Sequence, residues 1–480
     1  MRFDSLNRTN PWRFGAMFVF AVTLVVCFGL TLTAVGQTGA TPGLENATLA
    51  ASVPPAPMSN TPASSAMIFV PESSVYRAED AGKWMHTNYV LRSTTGGMPK
   101  PMAAPDFSSS ITLAETPASM GCVYKVGPIY AGCDPSTGGT NHPTGGWGVI
   151  VIVDAFDNPT AASDLATFDA TFGIPAPPSF TKVYANGNGA CTTPPPNAGW
   201  ALEEALDVEW AHAMAPNARI VLVEACSNSG TNLYYAETVA GKWAYYYGGG
   251  QITNSWGGGE YSGEVADDVN FYASYWSKVA YFASAGDSGC GAQYPSSSPW
   301  VVSAGGTRIN RNADHSFANE ACWSGSGGGI SAVEQWDPTS TAFRGKGMGP
   351  WSAYQYPMFG GYLTGAYRHT PDLSFNADPA SGVYVYSGYN GGWFIVGGTS
   401  VSSPALAGIV NLAGRRLGQA PAVGGYYTNE ENNLLYDQLY AVGMYAANFY
   451  DVTTGTNGCS VGTKWDYCTG VGSPRGLGGK

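Results

Sequence analysis

Three short stretches carry side chains whose types and spacing could break a bond. In Gly397-Gly398-Thr399-Ser400-Val401-Ser402-Ser403-Pro404 an apolar run, Trp393–Val396, enters two glycines, then a serine, then a proline that opens a helix. Glycine lets the backbone turn sharply and lets a substrate approach, and proline is favoured in a first helical turn. The Ser400 hydroxyl would thus be held at a strand-to-helix junction, where a nucleophile is useful. An ordinary glycine turn with a serine capping a helix reads the same way. On a second stretch, Trp200 to Pro216, Glu203 and Asp207 stand four residues apart and share a helix face, beside the apolar stripe Leu202, Leu206 and Trp210. Like charges at that spacing repel; partly buried, they would share a proton and titrate as a pair. A solvated acidic face remains the other reading. The third stretch, Ala285-Gly286-Asp287-Ser288-Gly289, puts a carboxyl in a glycine-rich loop directly after the run Val279–Ala283. An Asp that merely steadies its own turn has the same look.

These side chains need a frame. Continuous β-branched and apolar runs at Val149–Val153, Ile220–Val223, Val279–Ala283, Val301–Ala304, Val383–Tyr386 and Trp393–Val396 read as strands buried on both faces. Helical stretches at Ala162–Phe172, Ala201–Met214, Thr231–Tyr247, Val265–Trp276 and Pro404–Leu417 alternate with them. The alternation predicts an α/β domain with a mostly parallel central sheet flanked by helices. Sites in such sheets gather at the carboxyl ends of the strands; the first and third stretches each directly follow a strand.

Composition narrows the function. Lys and Arg number 22 against 34 Asp and Glu, a net charge of −12, which argues against a nucleic-acid binder. Charged residues are only 12% of the chain, a surface that loses little when acid neutralises carboxylates. Arg2, Arg8 and Arg13 precede an apolar run from Phe14 to Leu32 and the small residues Ala34 and Gly36. This predicts a secretory signal peptide over 1–36, with an uncleaved anchor as the alternative. A Pro/Ala/Ser-rich linker and shortened pro-segment is expected over 37–120 and the folded domain over 121–480. Eight cysteines follow the leader, an even number that suggests disulfides in a secreted chain. Pairing of near neighbours is expected: Cys122 with Cys133, Cys191 with Cys226, Cys290 with Cys322, Cys459 with Cys468. Five scattered histidines and no Cys-x-x-Cys argue against zinc.

Taken in order, the motifs resemble the sedolisin family of serine-carboxyl peptidases, relatives of subtilisin. The Glu-x-x-x-Asp helix, the Gly-Asp-Ser-Gly loop and the Gly-Thr-Ser-x-x-x-Pro elbow are joined by Asn254-Ser255-Trp256-Gly257, by the segment Asp164–Pro175 and by the loop Ser324–Gly329. The resemblance runs from about Gly146 to Gly476. It implies a subtilisin-like fold, with Ser400 as nucleophile, Glu203 as general base, Asp207 orienting Glu203, and Asp287 in the oxyanion hole. It also implies Trp256 and Gly257 along the substrate cleft and Asp154 near the family's outer acidic residue. Glu204 and Glu209 fall out of that register. A carboxyl donates to an oxyanion only when protonated, so acid-dependent activity is expected.

The resemblance further implies one structural Ca²⁺ in a C-terminal loop, held by the carboxylates of Asp451 and Asp466 and the carbonyls of Val452, Gly462 and Lys464. Hard oxygens at separated loop positions suit that ion; Lys464 departs from the family's glycine. The expected protein is a secreted, extracellular or periplasmic, acid-acting endopeptidase. It is a monomer that acts on proteins or peptides, with no nucleic acid and no stable membrane association unless the leader stays uncleaved. A tripeptidyl exopeptidase on the same site, and a non-catalytic secreted binding protein on the same scaffold, are the alternatives.

Overall fold

Eight strands form the central sheet. In chain order they are β1 (Val149–Ala155), β2 (Phe180–Ala185), β3 (Arg219–Ala225), β4 (Gly250–Asn254), β5 (Val279–Ser284), β6 (Val301–Arg311), β7 (Phe317–Cys322) and β8 (Leu373–Asn376). Their spatial order is β7-β6-β5-β4-β1-β3-β2, with β8 also beside β6, and every pairing is parallel except β6 with β7. From β1 the chain first builds one wing, β2 and β3, and then the other, so the order reverses at β1. A crevice opens at such a point, outside the carboxyl ends of the strands. The computed structural model describes residues 67–480 apart from 95–96, 109–112, 272–277, 336–366, 415–418, 422–426 and 441–442. The expected signal peptide and the linker up to residue 66 lie outside the described residues, as do the ends of two expected helices, at 272–276 and 415–417. All described residues belong to one unit, Pro62–Lys480.

Strand alternation sorts the core into two faces. Ile150 and Ile152 of β1 pack with Leu202 and Leu206 of helix α2 (Ala198–Met214) and with Val401 and Ala405 of helix α4 (Thr399–Leu412). Val149, Val151 and Val153 pack with Leu233, Ala236 and Ala240 of helix α3 (Gly230–Tyr246) on the opposite side. A fourth helix, α1 (Ala161–Phe172), contributes Leu165 and Phe168 to the first face. Asp154 falls on the α2 side by the same alternation.

The sequence expectations hold for the β-branched strands but miss the polar ones. β4 reads Gly-Gln-Ile-Thr-Asn and is wholly buried. Its polar side chains are answered by polar residues of α4: Thr253 Oγ1 and Ser403 Oγ lie 2.8 Å apart, and Asn411 Nδ2 donates to Gln251 Oε1 at 2.7 Å. Val383–Ser387 and Gly392–Gly397 are strands, but they form an antiparallel hairpin in a separate sheet with Val90–Ser93 and Met67–Phe69. The helix Pro117–Val123 crosses residue 121, and Met120 and Val123 are core residues.

Two of the four disulfides follow the near-neighbour expectation, Cys122–Cys133 and Cys191–Cys226. The other two correct it: Cys290 joins Cys459 and Cys322 joins Cys468. Backbone pairing explains the exchange. Cys290 N donates to Asn457 O at 2.7 Å and Cys322 N to Thr454 O at 2.8 Å, so the C-terminal loop is laid along both segments before any sulfur bond is considered.

Candidate active site

The carboxyl ends of β1, β4 and β5, the second and third turns of α2 and the first turn of α4 converge on one point. Helix α2 starts at an Asn197 cap, whose Oδ1 accepts from Trp200 N at 3.1 Å. It then runs fully buried from Trp200 to Met214. The solvated-face reading is therefore excluded: Glu203, Glu204, Asp207 and Glu209 are each 0% exposed. Glu209 is answered by Tyr386 N–H at 3.0 Å, and Glu204 faces Glu224, so neither joins Glu203 and Asp207.

Glu203, Asp207 and Asp154 form a buried acidic group. Burial raises the proton affinity of Glu203, and the neighbouring charges of Asp207 and Asp154 raise it further, while the Ser400 hydroxyl opposes this. Asp154 is raised by burial and then by Asp207; Asp207 is raised by burial, against Ser255 and Glu203 nearby. None of the six carboxyl oxygens makes a hydrogen bond among the described residues, so these neighbours stand close without closing a bond. A carboxylate placed this way is a strong base once ionised.

Ser400 sits in the first turn of α4, and Pro404 lies inside that helix rather than opening it. The proline has a local purpose. Lacking an N–H, it leaves the Ser400 carbonyl without its helical partner, and Ser255 Oγ donates to that carbonyl at 3.3 Å. Ser400 Oγ in turn donates to Ser255 O at 3.2 Å. The Ser400 hydroxyl and carbonyl are thus both tied to Ser255, the residue that follows β4.

Asp287 follows β5. It is a half-buried residue whose Oδ2 is enclosed and unpartnered among the described residues. Oδ1 accepts from Thr399 N at 2.7 Å and from Thr399 Oγ1 at 2.9 Å. Burial pushes its pKa up to about 8, against those two donors. The loop is braced from behind: Gly327 N donates to Gly286 O at 2.7 Å, and a Cβ at Gly327 would stand 1.9 Å from Ala285 O. The Ser324–Gly329 motif thereby acts as the support of the Asp287 loop.

A length of the chain itself runs through this site. Trp84 bridges Ser229, and Met85 exchanges two hydrogen bonds with Asn228: Met85 N to Asn228 O at 2.8 Å and Asn228 Nδ2 to Met85 O at 2.6 Å. His86 and Thr87 pair antiparallel with Gly257 and Trp256. Asn88 N donates to Ser255 O at 3.2 Å, and Ser400 N donates to Asn88 O at 2.9 Å. Beyond it, Val90 and Leu91 pair with Gly397 and Val396.

The structure thus brings Ser400, Glu203, Asp207, Asp287 and Asp154 together. Gly257 borders the threaded segment, since a Cβ there would lie 3.4 Å from Asn88 Nδ2. Trp256 corrects the sequence expectation: its indole turns into the core, 0% exposed, and donates to Val153 O at 2.8 Å. Thr399, which holds Asp287, and Asn88 were not singled out from sequence. Thr399 was findable as the neighbour of Ser400; Asn88 lies in a segment with no motif.

Asp451 and Asp466 both lie at the Gly462–Lys464 turn. Lys464 N donates to Asp451 Oδ1 at 2.7 Å and Gly462 N to Asp466 Oδ2 at 3.4 Å. Lys464 takes the left-handed conformation, φ 69°, that the family's glycine would take freely. Among the described residues no group of three or more His, Cys, Asp or Glu side chains could hold a metal, so a cation here would depend on carbonyls as well as these two carboxylates.

A parallel sheet flanked by helices, with a serine at the start of a helix and carboxylates at the strand ends, is the subtilisin-like α/β fold. Pseudomonas sedolisin, described as a serine-carboxyl proteinase and solved with two molecules of pseudo-iodotyrostatin, superposes with a TM-score of 0.55 at 22% identity, over 75% of this chain and 95% of that one. Kumamolisin from Bacillus sp. (strain MN-32) is 30% identical over 344 residues, 66% of this chain and 56% of that protein. Sedolisin from Pseudomonas sp. (strain 101) is 27% identical over 198 residues, 38% of this chain and 28% of that protein. The matches therefore span 56% or less of the length of these curated relatives, and no family model matches the chain. In sequence the chain is similar to members of the sedolisin family of serine-carboxyl peptidases, and it shares their fold.

Proposed function

We propose that the chain is an acid-acting endopeptidase that uses Ser400, Glu203, Asp207 and Asp287. The observation that carries the reading is the convergence of a buried serine, a buried carboxyl group of raised proton affinity, and an enclosed Asp287 carboxyl near the Ser400 backbone N–H, which here donates to a peptide carbonyl, Asn88 O, at 2.9 Å. Ser400 Oγ attacks the substrate carbonyl and its proton passes to Glu203. Asp207 and Asp154 keep Glu203 basic. The oxyanion is held by Ser400 N–H and by protonated Asp287, whose donor is worth ~10²–10³ in rate. Glu203 then returns the proton to the leaving amine, and water releases the acyl group.

Endo action is supported by the threaded segment. At least five residues, Trp84–Asn88, lie on one side of Ser400 and the chain continues to Ser93 on the other. A tripeptidyl exopeptidase would close the cleft three residues before the cut. Secretion is supported by four disulfides, bonds that persist in oxidising compartments. Among the described residues no helix is long and apolar enough to cross a membrane.

A structural Ca²⁺ fits the C-terminal loop. Asp451, Asp466 and the carbonyls of Val452, Gly462 and Lys464 would hold it; the donors are all hard oxygens, and both carboxylates accept backbone N–H groups of the same Gly462–Lys464 turn. The ion would cross-link the loop and take no part in the chemistry.

The test is an acyl-forming serine probe at pH 4. Modification mapped to Ser400, slowed at least a hundredfold in Glu203→Gln, supports the reading. A folded protein that leaves Ser400 unmodified from pH 2 to pH 8 is a binding scaffold instead. Products of one long peptide distinguish internal cuts from successive tripeptides.

A further inference from the structure

Behind the carboxyls of the proposed mechanism lies a second buried polar group that the mechanism does not use. Glu204, next to Glu203 on α2, is fully buried, and so is Glu224 of β3. Neither oxygen of Glu204 nor Oε2 of Glu224 has a hydrogen-bond donor among the described residues. The two carboxyls nevertheless stand within hydrogen-bond reach of each other. Two carboxylates in one enclosed place repel, and a single proton between them turns the repulsion into a bond. Glu224 Oε1 is held separately, by Asn158 N–H at 3.1 Å and by the Lys182 ammonium at 3.4 Å.

Asn158, buried in the loop after β1, ties this pair to the helix. Its N–H goes to Glu224, its Nδ2 donates to Ala201 O in the first turn of α2 at 3.1 Å, and its carbonyl accepts from Lys182 Nζ at 2.9 Å. Lys182 Nζ also donates to Asp157 Oδ1, which accepts from the Tyr184 hydroxyl at 3.1 Å. Glu224 is the register partner of Asp154 in the ladder between β1 and β3, so the group backs onto the acidic cluster around Glu203. The charged and titratable groups that face the pair are therefore Asp154 of β1, Asp157 of the loop, and Lys182 and Tyr184 of β2. Burial pushes the Glu224 pKa up to about 8, against Lys182 and the Asn158 N–H. Burial raises Glu204 as well, and the charges of Glu224 and Asp154 add to it. An unfolded Glu ionises near 4.5, so the shared proton contributes fully below that pH and is lost as the pH rises toward about 8.

We propose that Glu204 is a positioning residue for the peptidase reaction: a proton shared with Glu224, together with the Asn158 bridge, clamps the start of α2 to β3 and so fixes Glu203 against Ser400. This rests on the peptidase reading. Glu204 touches neither substrate nor Ser400; it acts through the helix that carries Glu203 and Asp207. Misplacing a reacting group by about 1 Å costs on the order of a hundredfold in rate, so a clamp one residue from the base bears on kcat rather than on substrate binding.

The experiment compares the full chain with Glu204→Met, which keeps the volume and loses the bond, and with Glu204→Gln, which keeps a donor and does not titrate. After each protein has been held at pH 4, kcat and KM are measured on one long peptide from pH 3 to pH 8, with Ser400→Ala as the blank. Melting temperatures are taken over the same range in the Ser400→Ala background, and circular dichroism checks that the variants fold. At pH 4, Glu204→Met should lower kcat at least tenfold with KM within about twofold, and Glu204→Gln should return kcat to within about threefold of wild type. The melting temperature should fall less between pH 4 and pH 8 with Glu204→Gln than without it. Asn158→Ala, which cuts the bridge to Ala201 and leaves Glu204 in place, should also lower kcat rather than raise KM, and it decides the matter if Glu204→Met does not fold. A Glu204→Met protein as active as wild type, or more stable, would overturn the proposal, because exchanging an unpaired buried carboxylate for an apolar group of like volume relieves the fold. Glu204→Gln as impaired as Glu204→Met would overturn it too. Folded wild type without Ser400-dependent cleavage at any pH would overturn the peptidase reading and the positioning role with it.

Discussion

Replacing Asp287 by Asn should change how stability depends on pH, by an amount the structure sets. An unfolded Asp ionises near 3.8, whereas burial holds Asp287 protonated up to about 8. Below pH ~4 both states carry the proton and the contribution of the group is fully present. As pH rises the unfolded chain loses its proton first, so folding must recover one, and stability falls by ~1.4 kcal/mol per pH unit until the folded state ionises too. Over the whole window this is ~6 kcal/mol from one side chain, comparable to the total stability of many domains, about 5–15 kcal/mol. Asn keeps the Oδ1 acceptor for Thr399 and offers an N–H where Oδ2 stands, but does not titrate. The assay is urea unfolding at pH 4, 5, 6 and 7 in a Ser400→Ala background, which prevents self-digestion and keeps the cleft occupied. The parent should lose stability faster than the Asp287→Asn variant by ~1.4 kcal/mol per pH unit. Parallel profiles would show that Asp287 is ionised in the folded protein, and the protonated oxyanion donor would have to be abandoned.

Other outcomes follow from single contacts. Gly327→Ala puts a carbon 1.9 Å from Ala285 O; the Asp287 loop must shift, and activity at pH 4 should fall at least tenfold, with stability lower by about 1–3 kcal/mol. Ser255→Ala removes the donor to the Ser400 carbonyl that Pro404 leaves free, which should cost about 1–3 kcal/mol in thermal unfolding; no change would mean that carbonyl is satisfied otherwise. Chelation should lower the melting temperature of the wild type but not of Asp466→Ala. A site at a hundredfold excess of ion over Kd contributes about 3 kcal/mol, and an unchanged melting temperature would remove Ca²⁺ from the account.

The readable part of the sequence was the part where chemistry and backbone geometry demand the same residues. Ser400 follows two glycines at a helix start, Asp287 lies in a glycine loop after a strand, and Glu203 stands four residues from Asp207 inside a helix whose apolar stripe announces it. The unreadable part depends on partners distant in sequence. β4 has no hydrophobic signal because its polar side chains are satisfied by Ser403 and Asn411. The pairing of Cys290 with Cys459 is decided by a loop laid down more than 160 residues later, at a separation of 169. The hairpin Val383–Gly397 looks like parallel-sheet strands because it is equally buried. Asn88 has no local signature, since its position comes from backbone hydrogen bonds to Ser255 and Ser400. Trp256 shows the limit of reading a cleft from a motif: the strand borders the segment, but the indole turns the other way.

The account stands on a serine working with carboxyl groups that hold protons in acid. The most direct measurement is the cleavage rate of an unfolded protein from pH 2 to pH 8, wild type against Ser400→Ala, after the chain has been held at pH 4 with calcium. The prediction is Ser400-dependent cleavage that is strongest in acid and lost as the pH rises toward 8, with Asp287 ionising at lower pH in an open, hydrated cleft than in the occupied one. Ser400-dependent cleavage that is greatest at neutral pH would contradict the protonated Asp287, and acid cleavage that survives Ser400→Ala would contradict the serine.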